Sequence, residues 1–314
     1  MKKILITGGA GFIGSHLVEA FQDRCEEIRV LDNFRTGKKS NLRGLQHQLI
    51  PGSITDPEIV KAAVRGVDQV FHCAALANVP ECLDNPHDCH RVNIQGLLNV
   101  LEASERQGVS SFSFASSASV YGPTPPVPTN EEAPLNPNNP YAQSKAEGEA
   151  LIADFHRRGR ISAVALRLFN VFGPRQDPKS GYAAAIPQFI SKALRNEDIT
   201  IYGDGLQTRD FVFVKDVAAA FQEASSDFEN TGLFNVGGQK AIRIIDLAGK
   251  IIKLTGSSSR IRFQEPREGD ARFSQACNLR LRECGWHARH GLRAALSETI
   301  ASLEADTRLE ISDK

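Results

Sequence analysis

Residues 8–14 read Gly-Gly-Ala-Gly-Phe-Ile-Gly, between an apolar run, Ile4-Leu-Ile-Thr7, and an amphipathic stretch that predicts a helix over about 12–23. A glycine run alone constrains little. Placed where a first strand turns into a first helix, it dictates how the chain opens. Gly8 suits a tight turn, Gly11 lets a pyrophosphate approach the backbone, and Gly14 lets the helix pack closely on the sheet. The helix start then offers free N–H groups and a positive dipole end to the phosphates. This is how a dinucleotide-binding fold begins.

Further apolar runs of strand length follow: 28–32, 48–52, 69–75, 111–116 and 163–169. Helical patterns separate them, at about 57–65, 91–107 and 142–158; Ile94, Leu97, Leu98 and Leu101 share one helix face. Strand and helix in alternation predict an α/β chain with a doubly wound parallel sheet, helices covering both faces. Segment 122–140 is too proline-rich for helix or central strand, so it reads as a loop crossing the carboxyl edge of the sheet. After about residue 170 the rhythm becomes irregular. The expectation is a nucleotide domain over 1–170, with 211–240 returning to it, and a smaller mixed α/β substrate domain from 171–210 and 241–314. The last residues read as a frayed helix end.

Asp32 stands eighteen residues after Gly14, at the end of the second strand. A carboxylate there accepts hydrogen bonds from ribose hydroxyls and repels a 2′-phosphate, which favours NAD over NADP. Arg35 keeps NADP open, since an arginine at that point can neutralise a phosphate.

The chain has only four tyrosines, and one of them, Tyr141, precedes Lys145 by one helical turn in Pro-Tyr-Ala-Gln-Ser-Lys. Taken alone, the pair reads as readily as a solvated helix start. With the glycine loop upstream and a serine cluster at 116–119, it becomes a candidate acid/base pair. A phenol titrates near 10, but a cation about 4 Å away at an effective dielectric near 20 is worth about 4 kcal/mol, enough to bring it toward neutrality. Lys145 is expected to supply that charge to Tyr141.

Composition excludes several alternatives. Thirty-seven basic residues balance thirty-seven acidic ones, so no overall field recruits nucleic acid or a membrane surface. No apolar run reaches bilayer length, the N-terminus lacks the pattern of a signal peptide, and the six cysteines are scattered. A cytoplasmic protein with reduced thiols is the expectation. Cys82, His87, Cys89 and His90 cluster, but their spacing matches no usual zinc pattern, so no metal site is expected.

In sequence order, TGGAGFIG (7–14), LDN (31–33), HCAA (72–75), SSASVYG (116–122), YAQSK (141–145), LRLFNVFGPRQDP (166–178), YGDGLQTRDFVFVKDV (202–217) and REGD (267–270) resemble the extended short-chain dehydrogenase/reductases, specifically the nucleotide-sugar 4-epimerases. The resemblance covers nearly the whole chain. It is most similar to the bacterial UDP-N-acetylglucosamine 4-epimerases of polysaccharide synthesis, through ALANVPECLDNP, GPRQDPKSGYAAAIPQF and REGDARFS. It implies a Rossmann fold, tightly held NAD, a UDP-sugar substrate, and a homodimer formed through helices 91–107 and 142–158.

The resemblance also implies roles for single residues. Ser117, Tyr141 and Lys145 are the catalytic set, Tyr141 and Lys145 also touching the cofactor. Gly8, Gly11, Phe12, Ile13, Gly14, Asp32, Asn33, Ser53, Ile54, Cys73, Ala74, Ala75 and Asn93 are the other cofactor contacts. Asn170, Ala184, Ala185, Tyr202, Arg209, Arg267, Asp270 and Ser274 join Ser117 around the substrate, the two arginines gripping its pyrophosphate. Ser274 borders the C2 substituent of the sugar, where a small residue admits an N-acetyl group and a tyrosine excludes it. Ala118 replaces the acidic residue that dehydratases and decarboxylases carry beside the serine, which argues against dehydration. Departures are Leu168 for a common tyrosine, Ser53 for an aspartate near adenine, and Ala77 for a lysine. The implied reaction is C4 epimerisation through a ketone, for N-acetylated or plain UDP-hexoses, a uronic acid form fitting less well. A net oxidoreductase and a non-catalytic NAD sensor are the rival classes.

Overall fold

A computed structural model describes residues 2–178, 184–225, 232–266 and 271–312 of the 314-residue chain, with side chains described as far as 306. Its strands are β1 (Lys3–Thr7), β2 (Glu27–Asp32), β3 (Gln48–Pro51), β4 (Gln69–His72), β5 (Ser111–Ser117), β6 (Ser162–Leu168), β7 (Asn170–Phe172), β8 (Ile199–Tyr202), β9 (Thr208–Phe213), β10 (Gly232–Val236), β11 (Ala241–Arg243) and β12 (Ile261–Gln264). The helices are α1 (Phe12–Phe21), α2 (Pro57–Val64), α3 (Val79–Asp84), α4 (Pro86–His90), α5 (Gly96–Gln107), α6 (Pro140–Arg157), α7 (Ala185–Leu194), α8 (Val214–Ala224), α9 (Ile244–Thr255), α10 (Leu279–Glu283) and α11 (Leu292–Ser312).

Seven parallel strands form one sheet in the order β10-β6-β5-β4-β1-β2-β3. The strands read as continuous apolar runs because both faces are covered. In β1, Ile4 and Ile6 join a core with Leu17 and Phe21 of α1 and Val217 and Phe221 of α8. Leu5 points the other way, into a core with Val60 of α2, Leu97 and Leu101 of α5, and Ile152 of α6. The order reverses between β1 and β4, and a doubly wound sheet opens its ligand crevice outside the carboxyl ends of such strands.

Smaller elements lie beyond. β9 pairs parallel with β7 and antiparallel with β11, while β8 pairs with β12. They share a third core with α7, α9 and α11. Within 211–240, α8 and β10 belong with the large sheet, whereas 211–213 finish β9 of the small one.

Local chemistry sets the boundaries near the crevice. α6 starts two residues earlier than the apolar pattern predicts, because Pro140 fits its first turn and the Asn139 side chain accepts the Ala142 N–H at 2.9 Å. Residues 91–95, expected as ordinary α-helix, form a π-helical turn before α5. β4 ends at His72; the Cys73 N–H still donates to the Thr7 carbonyl at 3.0 Å, and the chain then turns away through Ala74 and Ala75. Segment 122–140 contributes no helix or strand before Pro140, although Thr129 bridges Ala276. Among the described residues, no helix is long and apolar enough to cross a membrane.

Candidate active site

Gly8 turns the chain out of β1 with φ of +69°, a region that costs any L side chain about 1–2 kcal/mol. A Cβ there would lie 2.7 Å from the Ala74 nitrogen, and one on Gly14 would lie 2.2 Å from the Gly8 oxygen. The loop is therefore held against β4 and α1 by backbone-to-backbone contact. Asp32 secures it from the side, its carboxylate accepting N–H groups of Ala10 at 2.9 Å and Phe34 at 2.8 Å.

A cleft runs along this edge. It is lined by Gly8, Gly11, Phe12, Ile13 and Gly14, by Asp32 and Asn33, by Ser53 and Ile54, and by Cys73, Ala74 and Ala75. All these residues were expected to hold cofactor. Asn93 does not line the cleft: in the π-helical turn its amide turns inward, accepting the Leu76 N–H and donating to the Leu76 carbonyl and to Ser144. It braces the wall. Sequence reasoning missed Thr36, Gly52 and Val92, which line the cleft without any motif to mark them.

The cleft fits NAD. Its floor is backbone that a Cβ would fill, a helix start faces it, and a carboxylate stands where ribose hydroxyls would lie. Arg35, which left NADP open, is held by Asp88 at 2.7 Å and Glu81 at 2.5 Å. Two carboxylates already neutralise it.

A second cleft adjoins the carboxyl end of β5. Ser117, Asn170, Arg209 and Ser274 come together here from four separate segments. Leu168, Phe169, Tyr121 and Phe273 add apolar walls that the motifs did not announce, although Leu168 stood out as a departure. Phe273 is 53% exposed, at the rim. No carboxylate occurs among the described lining residues. Three expected substrate contacts do not line it: Ala184 and Ala185 start α7, and Tyr202 ends β8, its carbonyl accepting from Gln207. Arg267 and Asp270 lie outside the described residues.

Tyr141 and Lys145, on the first two turns of α6, line neither cleft; Tyr141 packs in one cluster with Leu76 and Val92 of the first cleft's wall and faces Ser117 of the second. The Ser117 side chain acts to lower the pKa of the Tyr141 phenol. Lys145 Nζ donates to the Ala115 carbonyl at 2.7 Å and lies 5.8 Å from the centre of the Tyr141 ring. The expected electrostatics need correction. Tyr141 is pushed up to about 12, chiefly by burial; the Ser117 side chain opposes this, and Lys145 does not bring it down. Burial brings Lys145 itself down to about 8. With its amine near 8, Lys145 is already uncharged at the pH where a phenol near 12 titrates, so it offers that phenol no charge. Neighbouring groups are kept neutral: burial lowers His72 to about 3 and raises Cys73 to about 12. A larger cavity of about 770 Å³ lies away from these groups, between β11 and the turn before α11.

A doubly wound sheet with a glycine loop, a strand-end carboxylate and a serine-tyrosine-lysine set at its carboxyl edge defines an enzyme of the short-chain dehydrogenase/reductase class. A family model described as "NAD dependent epimerase/dehydratase family" matches residues 4–237, and the chain belongs to that family. NAD is its cofactor, and the chain is an isomerase.

Its relatives sharpen the picture. A "Putative UDP-glucose 4-epimerase" of Methanocaldococcus jannaschii is 35% identical over 97% of this chain and 99% of its own length. The solved structure of a UDP-N-acetylglucosamine 4-epimerase from Methanobrevibacter ruminantium, in complex with UDP-N-acetylmuramic acid, superposes with a TM-score of 0.93; identity is 35%, over 97% of this chain and 99% of that one. A UDP-N-acetyl-alpha-D-glucosaminuronate decarboxylase of Bacillus cytotoxicus is 36% identical over 83% of this chain and 82% of its own length.

Proposed function

We propose that this enzyme inverts the C4 hydroxyl of a UDP-hexose through a 4-keto intermediate, and that UDP-N-acetylglucosamine and UDP-N-acetylgalactosamine are its preferred pair. The observation that carries the reading is the second cleft: one arginine, a serine that faces Tyr141, a small residue at 274 and no carboxylate among the described lining residues. Arg209 grips the pyrophosphate, and the small Ser274 leaves room for an N-acetyl group. Dehydration and decarboxylation on this fold use an acidic residue beside the serine, where this chain has Ala118.

Tyr141 takes the C4 hydroxyl proton as the ketone forms and returns it as the alcohol re-forms. Ser117 holds the same oxygen in line with the phenol. Held along the glycine loop beside Asp32, oxidised NAD would supply a reversible hydride acceptor for C4, and its positive ring would favour the phenolate that the protein alone disfavours. Lys145 would orient the nicotinamide ribose, and the ketone turns over before hydride returns to its other face. The family resemblance implies a homodimer through α5 and α6, which sedimentation would test.

The test is incubation of the purified enzyme with UDP-N-acetylglucosamine, UDP-glucose and UDP-glucuronic acid, separately. Epimer formed without net NADH, fastest with the N-acetylated sugar, is the expected result. Stoichiometric NADH would make the protein a net oxidoreductase, and carbon dioxide from the uronic acid would make it a decarboxylase. NAD binding without turnover would make it a sensor.

A further inference from the structure

Three consecutive residues of β5 are each tied to a different turn of α6. The Ala115 carbonyl accepts from Lys145, the Ser116 hydroxyl donates to Glu149 at 2.5 Å, and the Ser117 side chain faces Tyr141. Positions 141, 145 and 149 repeat every four residues and share one helix face. Two of these contacts belong to the proposed proton-transfer set. The third involves a carboxylate that touches neither cleft.

Glu149 is buried, and so is its partner, Arg167 of β6. The guanidinium engages it with both prongs, Nε at 2.9 Å and Nη2 at 2.7 Å. The remaining nitrogen, Nη1, donates to the Glu131 carbonyl at 3.1 Å in the proline-rich segment. The guanidinium also lies 4.6 Å from the centre of the Tyr121 ring, on the wall of the substrate cleft. Tyr121 passes the connection on: its hydroxyl donates to Asn235 at 2.7 Å, and Asn235 donates to the Thr129 carbonyl at 3.0 Å. Thr129 pairs with Gln275 and Cys277, next to Ser274.

We propose that Glu149 and Arg167 are positioning residues, whose buried ion pair holds α6 in register with the end of β5 and thereby sets the Tyr141–Ser117 contact against the substrate-binding segment 274–277. Buried ion pairs are often matched in stability by apolar pairs of similar volume, so the pair's distinctive effect is on geometry. Transition-state alignment tolerates little displacement, and a shift of about 1 Å can cost about 10²-fold in rate. The proposal rests on Tyr141 being the acid/base.

The experiment combines Glu149→Leu with Arg167→Met, which removes both charges without stranding one. Thermal midpoint, NAD affinity, and kcat and KM for the UDP-sugar are measured beside wild type and Tyr141→Phe. The expected result is a folded protein with NAD affinity within threefold of wild type, KM within threefold, and kcat lower by at least tenfold. Wild-type kcat in the folded double variant overturns the proposal. Should the double variant fail to fold, Ser116→Ala serves instead, with an expected two- to fivefold fall in kcat at unchanged KM and thermal midpoint; unchanged kcat overturns the proposal here too. Tyr141→Phe separates the two ideas. Activity in that variant removes the acid/base reading itself, while an inactive Tyr141→Phe beside a fully active double variant removes only the positioning role.

Discussion

At Tyr141 burial and hydrogen bonding oppose each other, and the side chain's chemistry depends on which one moves. Burial holds the phenol near 12, and the Ser117 hydroxyl is the neighbour that pulls it down. Ser117→Ala should therefore raise Tyr141 further. The rising limb of kcat against pH should move to higher pH, and kcat at neutral pH should fall by about 10²-fold. A pH–rate profile with its limb in the wild-type position would remove Ser117 from this role. Tyr141→Phe should cost about 10²- to 10⁴-fold in kcat while UDP binding, followed by calorimetry, stays near wild type. The sequence exposed the tyrosine-lysine spacing, but not the direction of the ammonium. Lysine's long stem can serve either neighbour, and only the position of the Ala115 carbonyl decides between them.

Elements were legible where one physical requirement dominates. β1, the glycine loop and α1 follow from apolar periodicity and from Gly8, whose positive φ and contact with Ala74 leave no room for a side chain. Gly8→Ala should destabilise the fold by about 2–4 kcal/mol and weaken NAD at least tenfold, because the loop can relieve the overlap only by moving toward the phosphates. Denaturant unfolding with and without NAD checks this, and equal curves for the variant and wild type would refute it. Other elements were less legible. The π-helical turn at 91–95 redirected Asn93, although the apolar pattern around it is that of a plain helix. Strand β4 looked longer than it is because Cys73–Ala75 are apolar for lining a cleft, not for pairing. Strand β9 looked like a return to the large sheet, since an apolar run does not name the strand beside it.

At the scale of the whole molecule, specificity comes from segments far apart in the chain. Arg35 reaches Glu81 and Asp88 across the cofactor cleft. Glu81→Gln with Asp88→Asn should free it for a 2′-phosphate and narrow the preference for NAD over NADP about tenfold, roughly one charge-assisted hydrogen bond. Competitive binding of the two cofactors is the measurement, and an unchanged ratio would show that Asp32 alone discriminates. Ser274 meets Ser117, Asn170 and Arg209 only in the folded cleft. Ser274→Tyr should cut kcat/KM for UDP-N-acetylglucosamine about 100-fold and that for UDP-glucose less than tenfold; equal losses would mean that residue 274 does not face the C2 substituent. The sequence by itself determined the doubly wound fold, the glycine loop and the spacing of Tyr141 and Lys145, because each depends on contacts within a strand, a turn or one helix face. The tertiary structure decided which cation is neutralised, where Lys145 points and which distant residues share the second cleft. These depend on charge and distance between segments, and linear order carries neither.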